Sequence, residues 1–155
     1  MGDGKVDGQG KDNASSLRLG RIIIGIILLL FAVRTFVADL AIVQGRSMLP
    51  RLKDSDLVFV FKAAYGLKNP WGGYIIRWSE PQKTQLVAAV RPESPTAFIK
   101  RVDSVLLVSS AASSFGTDKA YFLLGDNKYE SIDSRDFGPV PMNNILGRVF
   151  PIPGL

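Results

Sequence analysis

An uninterrupted apolar run near the N-terminus constrains this chain more than any other feature. Residues 22–33 carry no charge and lie between Arg21 and Arg34. A helix that crosses the hydrocarbon core of a bilayer needs about 20 residues, so this run must be extended at both ends in order to span it. A buried core helix is the alternative, but such a helix would carry polar residues along one face, and this run has none.

A cleaved signal peptide is the other reading of the same run. Its cleavage site requires small residues two positions apart. Ala32, Ala38 and Ala41 do not have that spacing, and only Val43 and Gly45 come near it. We therefore favour a transmembrane anchor over residues 18–40.

The charges around this anchor predict its orientation. Arg18 and Arg21 precede the apolar run, and basic residues flank the cytoplasmic side of membrane helices. We expect a single-pass protein of the cell membrane with a cytoplasmic N-terminus and a domain of residues 41–155 outside. Residues 1–17 are rich in Gly, Asp, Lys and Ser, a composition that predicts a disordered cytoplasmic tail.

Two absent residue types restrict the chemistry. The 155-residue chain contains no Cys and no His, which excludes disulfides, thiol catalysis, a Ser-His-Asp triad and zinc sites built on these residues. Its net charge of +5 comes from 19 basic and 14 acidic residues that are mixed along the chain. Because no basic stripe results, we predict no nucleic-acid partner.

The remainder of the chain has the pattern of an all-β domain. Short apolar runs with β-branched and aromatic residues are separated by turns at 69–73, 91–95 and 113–116. This spacing predicts a β-barrel or sandwich. The predicted strands are residues 57–61, 74–78, 86–90, 97–102, 105–108, 121–124 and 145–150.

Two segments carry candidate nucleophilic chemistry. Gly45–Pro50 brackets Ser47 with turn-forming residues, a pattern that also occurs in plain linkers. In the predicted strand 97–102, alternation puts Lys100 between two apolar residues on one face. This lysine either extends to solvent, which the pattern alone favours, or it is desolvated and becomes a general base.

A third segment, residues 121–138, joins an apolar strand to a dense polar loop. The loop is interpreted either as a solvated loop fixed by turns and one Asp–Arg pair or as part of a site. It does not match the twelve-residue calcium loop, so we predict no metal. With His and Cys absent, one nucleophilic scheme remains: Ser47 activated by a neutral Lys100, with Ser131 available to orient the amine.

These segments resemble the type I signal peptidases, membrane-bound Ser/Lys endopeptidases. Gly45–Pro50 resembles the nucleophile block, Ile99–Val102 the general-base block, and Gly125–Gly138 the last block. The resemblance implies a signal-peptidase-like β catalytic domain on a membrane anchor. It assigns these roles: Ser47 as nucleophile and, through its backbone N–H, oxyanion donor; Lys100 as general base; Ser131 as its hydrogen-bond partner; Asp133 and Arg135 as a structural pair; Gly125 and Asp126 as supporting residues; and Gly45 and Met48 as neighbours in the oxyanion and substrate region.

The implied reaction is removal of signal peptides from exported preproteins after small residues at positions −1 and −3, with no cofactor. Some family members have a serine at the position of Gly45, and the family usually has a Gly-rich turn where this chain has Asp103–Leu106. Two alternatives therefore remain open: a membrane-tethered module that binds peptides without cutting them, and a Ser/Lys protease dedicated to one substrate.

Overall fold

The structure is a computed structural model that describes residues 9–69, 73–91, 94–108 and 118–152. The chain divides into two compact units, residues 1–35 and 36–155. The predicted turn at 113–116 lies outside the described residues, as do residues 70–72 and 92–93 of the other two predicted turns.

The first unit is built on one long helix. Helix α1 covers Gln9–Ala32 and continues into a wider π-helical turn over Val33–Val37. The segment Arg18–Val37 is long and apolar enough to cross a membrane, and none of it is buried in the protein. The predicted disordered tail covered residues 1–17. Its residues 1–8 lie outside the described residues, and residues 9–17 belong to α1; they contain no proline that would end a helix.

The second unit is a mostly antiparallel β domain, which confirms the predicted fold class. Seven strands form one sheet in the order β1-β2-β9-β5-β6-β7-β8, and β3 pairs with β4 in a separate hairpin. A single turn of helix, α2, covers Ser134–Phe137. The strands are β1 Ala38–Ile42, β2 Leu57–Phe61, β3 Gly66–Lys68, β4 Tyr74–Arg77, β5 Leu86–Arg91, β6 Ser94–Val108, β7 Asp118–Leu124, β8 Val140–Pro141 and β9 Ile145–Pro151.

All seven predicted strands occur, and several differ in extent from the prediction. The predicted strands 97–102 and 105–108 form one strand, β6, because a bulge near Asp103 lets the ladder with β7 continue. Residues 38–40 were assigned to the anchor but begin β1, which pairs with β2 along its whole length. The three strands without a predicted counterpart are β1, β3 and β8, and the last two are too short to show an alternating pattern.

The core lies on both sides of the sheet. In β5, Val87 and Ala89 face a first apolar cluster, whereas Leu86 and Ala88 face a second. The first cluster contains Tyr65, Val87, Ala89, Val102, Tyr121, Leu123, Val140, Met142 and Ile145. The second contains Val43, Met48, Leu52, Val58, Val60, Leu86, Ala88 and Val149. A polar side chain on the covered part of either face is therefore removed from water.

An apolar row across three neighbouring strands is partly exposed. Leu40, Phe59 and Phe150 are direct cross-strand neighbours on β1, β2 and β9, and we call these three residues the outer ladder. They are 57%, 36% and 38% exposed, and the rings of Phe59 and Phe150 lie 6.3 Å apart. Exposed apolar side chains in a contiguous row are a feature of surfaces that contact other molecules or lipid.

Candidate active site

Ser47 lies in a structured loop between β1 and β2. The amide of Leu49 donates to the carbonyl of Arg46 at 3.1 Å, and the amide of Leu52 donates to the carbonyl of Met48 at 2.9 Å. The Met48 side chain is 1% exposed and anchors the loop in the second apolar cluster. Ser47, next to it, is half-buried, so its hydroxyl is held at the protein surface rather than on a loose linker.

Gly45 begins this loop in a backbone conformation that favours glycine. Its φ is +86°, where a side chain would be strained. Its amide donates to the Asp54 carboxylate at 2.6 Å. Because that N–H is already used, Gly45 does not supply an amide to an oxyanion site in this conformation.

Lys100 is buried in strand β6. It pairs with Val87 of β5 and therefore faces the first apolar cluster, and its side chain is only 4% exposed. The sequence pattern alone favoured a solvent-exposed ammonium, but the covered sheet face leaves the amine little access to water. Burial lowers the pKa of Lys100 below its ordinary value, and although the charge of Asp133 opposes this effect, the net shift is downward.

The polar loop is held by hydrogen bonds to the Asp133 carboxylate. Asp133 is fully buried and accepts hydrogen bonds from the Gly125 amide at 2.9 Å, the Ser131 hydroxyl at 2.7 Å, and Nε and Nη2 of Arg135 at 2.8 Å each. Burial alone would raise the pKa of this carboxyl. The hydrogen bonds from Arg135, Gly125 and Ser131 outweigh it and hold the pKa well below the usual range.

The same aspartate begins helix α2. Its carboxylate also accepts the Arg135 amide at 3.2 Å, and the Asp136 carboxylate accepts the Asp133 amide at 2.9 Å. This reciprocal arrangement is a capping box, which satisfies amides at the start of the helix. The loop geometry and the helix start therefore depend on one side chain.

Gly125 is the point at which the three candidate segments meet. Because Arg101 pairs with Leu124, Gly125 comes level with Lys100 just beyond the end of β7. A Cβ at this position would clash with the Ser131 hydroxyl oxygen and would lie 2.7 Å from the Ser47 carbonyl oxygen. The Asn127 amide also donates to that carbonyl, at 3.0 Å. Only glycine leaves room for this convergence.

A second ion pair connects the lysine strand to the polar loop. Nε and Nη2 of Arg101 donate to the two carboxylate oxygens of Asp126 at 2.7 and 2.5 Å, and Nη1 donates to the Thr84 carbonyl at 2.7 Å. The resemblance assigns Asp126 a supporting role but assigns none to Arg101. The available signal was position, since each residue directly follows a site residue, Lys100 or Gly125.

The structure brings these residues into one region without forming every predicted contact. Among the described residues, no hydrogen bond joins the Ser47 hydroxyl to the Lys100 amine, and no carboxylate pairs with that amine. The Ser131 hydroxyl donates to Asp133 instead of binding the lysine. The Ser47 amide also donates to no acceptor in the described part of the chain.

The described residues contain no group of three or more side chains that could hold a metal ion. The site combines the half-buried Ser47, whose backbone N–H has no acceptor among the described residues, with a desolvated amine and a charge-compensated carboxylate. This combination is typical of serine hydrolases that use an amine as the base.

Comparison with known proteins identifies the family. The family model described as signal peptidase, peptidase S26, matches residues 16–105 and 114–152. The chain belongs to this family of serine endopeptidases, which are hydrolases.

Individual relatives agree with the family match. A probable signal peptidase I-2 from Synechocystis sp. is 28% identical over 160 residues, covering 86% of this chain and 71% of the relative. A signal peptidase I from Leptolyngbya laminosa is 30% identical, covering 79% and 71%. The human mitochondrial inner membrane protease subunit 1 is 31% identical, covering 74% and 69%. Similarity to signal peptidases I supports removal of signal peptides as the activity.

Proposed function

We propose that this protein cleaves signal peptides from exported preproteins with Ser47 as nucleophile and Lys100 as general base. The observation that carries the proposal is the burial of Lys100, 4% exposed, with no carboxylate paired to its amine among the described residues. A lysine in such a setting loses its proton more readily than an exposed one. A neutral amine can activate a serine without the histidine that this chain lacks.

The reaction follows from these two groups. The neutral Lys100 amine takes the proton of the Ser47 hydroxyl as its oxygen attacks the scissile carbonyl carbon. The Ser47 amide donates to the oxygen that becomes negative. The protonated amine then gives its proton to the leaving amine of the mature protein, and water, activated by Lys100, hydrolyses the acyl-serine.

This step requires a contact that the resting structure does not contain. The Ser47 hydroxyl and the Lys100 amine must form a hydrogen bond that the resting structure lacks. Catalytic hydrogen bonds often tighten only when substrate is bound, and rotation of a serine side chain is a small movement. Substrate binding beside Ser47 would also exclude water from the amine.

The polar loop supports the base by orienting it. The hydroxyl proton of Ser131 is directed to Asp133, so the lone pairs of the same oxygen are available to accept an N–H of Lys100. Arg135 compensates the charge of Asp133. An uncompensated carboxylate at that position would stabilise the ammonium form of Lys100 and suppress its action as a base.

An extended substrate fits the edge of the sheet that leads to Ser47. Strand β1 is at one end of the strand order, and the Ser47 loop follows it directly. A preprotein segment would add a strand at this edge, as peptides do at exposed sheet edges. The tightly packed side chains of Val43 and Met48 beneath the loop favour small residues at −1 and −3.

The membrane location is supported by the apolar segment and by the outer ladder. Arg18 and Arg21 favour a cytoplasmic N-terminus, which would put the β domain outside the cell membrane. Leu40 follows Val37, the end of the apolar segment, by three residues, a chain distance of at most ~11 Å. Leu40 of the outer ladder is therefore close in sequence to the end of the apolar segment, and contact with lipid would cover the apolar surface of the ladder.

The test is cleavage of a model preprotein by the detergent-solubilised full-length protein, with Ser47→Ala as the matched control. We expect the wild type to release the mature protein with a single new N-terminus after a small residue, and Ser47→Ala to be inactive. Equal cleavage by both proteins would contradict the assignment of the nucleophile. Binding of the preprotein without cleavage by the wild type would instead favour a peptide-binding module.

A further inference from the structure

We infer that a groove beside Ser47 binds the residues that follow the cleaved bond, that is, the first residues of the mature protein. The groove has a volume of about 430 Å³ and is lined by Leu49 and Pro50 on one side and by residues 126–129 on the other. This inference rests on the proposed function, and it adds a second recognition element to the predicted preference for small residues before the bond.

The wall formed by residues 126–129 is hydrogen-bonded to the loop that carries Ser47. The Asn127 amide donates to the Ser47 carbonyl at 3.0 Å, and its side-chain amide donates to the Arg46 carbonyl at 3.2 Å. Asp126 is held by the bidentate pair with Arg101. The groove is therefore largely formed before substrate arrives, which reduces the entropy lost on binding.

The position of the groove sets which part of the substrate it takes. Strand β1 and Val43 precede Ser47 in the chain, and Val43 packs with Met48 in the second apolar cluster. The groove instead uses Leu49 and Pro50, which follow Ser47, together with the loop opposite. A peptide whose small residues lie over the second cluster would therefore cross Ser47 and continue into the groove.

The side chains at the groove predict its chemical preference. Tyr129 is 99% exposed, and its hydroxyl makes no hydrogen bond with the described residues. Its ring is free to pack on a passing apolar or aromatic side chain. Lys128 is exposed beside it, whereas the charge of Asp126 is compensated by Arg101. We expect apolar or acidic residues just after the cleaved bond to be favoured over basic ones.

Two peptides that are identical up to the cleaved bond test this inference. One ends just after the bond and the other continues with several acidic and aromatic residues. We expect the wild type to favour the longer peptide, and we expect Tyr129→Ala to reduce the ratio of the two kcat/KM values about 3-fold to 10-fold. Trp78→Ala is the matched control, since Trp78 is 59% exposed but does not line the groove, and it should keep the wild-type ratio.

Charge is tested with two long peptides that differ in one residue after the bond, acidic in one and basic in the other. The wild type should have a higher kcat/KM for the acidic peptide than for the basic one. Lys128→Glu should lower the ratio of these two kcat/KM values by roughly 2-fold to 5-fold. If Lys128→Glu leaves the ratio of the two kcat/KM values unchanged, the predicted preference for acidic over basic residues after the bond is contradicted.

Binding measurements separate this inference from the proposed function. The Ser47→Ala protein should bind the longer peptide more tightly than the shorter one, and Tyr129→Ala in that background should reduce the difference. Equal effects of Tyr129→Ala on both peptides, in cleavage and in binding, would overturn the inference while leaving the cleavage activity in place. If the wild type cuts neither peptide, the proposed function fails and the binding measurement alone decides whether the groove takes this segment.

Discussion

Arg135 binds the buried carboxylate of Asp133 through two nitrogens, each 2.8 Å from a carboxylate oxygen. Through this pair the charge of Asp133 is compensated by Arg135, and among the described residues Lys100 has no ion-pair partner. The structural consequence is that Ser131 and Gly125 are held by Asp133. The chemical consequence is a lysine that burial pushes toward its neutral form.

Substitution of Lys100 separates charge from basicity. Lys100→Met should retain the fold but lose ~1,000-fold or more in kcat, since it removes the general base. Lys100→Arg should be equally inactive because a guanidinium does not become neutral at working pH. Initial rates of preprotein cleavage test this prediction, with circular dichroism to verify the fold. Substantial activity in Lys100→Arg would rule out a neutral base at this position.

Activity should rise with pH. Only the neutral amine accepts a proton, and burial lowers the pKa of Lys100, so kcat/KM should increase with a slope of one until the pH passes that lowered pKa. The inflection should lie below 10.5, the ordinary lysine value. A pH profile of kcat/KM between mildly acidic and alkaline conditions measures it. A profile that is flat over this range would contradict the role of Lys100.

The same burial predicts an unusual stability effect. Protonated Lys100 costs free energy in the folded state, whereas the unfolded chain protonates it freely up to 10.5. Lys100→Met should therefore be more stable than the wild type at neutral pH, and the difference should shrink as the pH rises through the window between the lowered pKa and 10.5. Thermal melting at several pH values checks the sign. If the stability difference between Lys100→Met and the wild type instead increases with pH, the folded state stabilises the ammonium form of Lys100.

Gly125→Ala tests the convergence of the three segments. The new methyl group would lie 2.7 Å from the Ser47 carbonyl oxygen and would clash with Ser131. We expect a loss of about 1–3 kcal/mol in unfolding free energy and a larger loss of activity than of stability. Gly20→Ala is the control, because a Cβ there meets nothing within 4 Å. Unchanged cleavage by Gly125→Ala would argue against a tight arrangement around this residue.

The outer ladder can be tested by site-specific labelling because the chain has no cysteine. Phe150→Cys, labelled with a polarity-sensitive fluorophore in the full-length protein, should report an apolar environment when the protein is in liposomes. Leu107→Cys on β6 is the control, since Leu107 is 69% exposed and lies outside the ladder. Identical spectra at the two positions in liposomes would contradict lipid contact through the ladder.

Much of the fold followed from local pattern. The runs of β-branched and aromatic residues predicted seven strands because alternate side chains of a half-covered strand face a core. Local pattern did not distinguish β1, because residues 38–40 directly follow the apolar segment and were assigned to the predicted anchor. It also divided β6 at Asp103, because a bulge that continues a ladder depends on the partner strand β7 rather than on local sequence.

The amino-acid sequence by itself restricted the available chemistry: without His or Cys, the scheme that remains for a nucleophilic serine is activation by an amine, and alternation assigned Lys100 to one face of its strand. Only the tertiary structure decided whether that face is covered. Strand β5 and the first apolar cluster bury Lys100, and the pairing of β6 with β7 brings Gly125 and its loop level with it. Burial and long-range register arise from contacts between distant segments, and no local pattern encodes them.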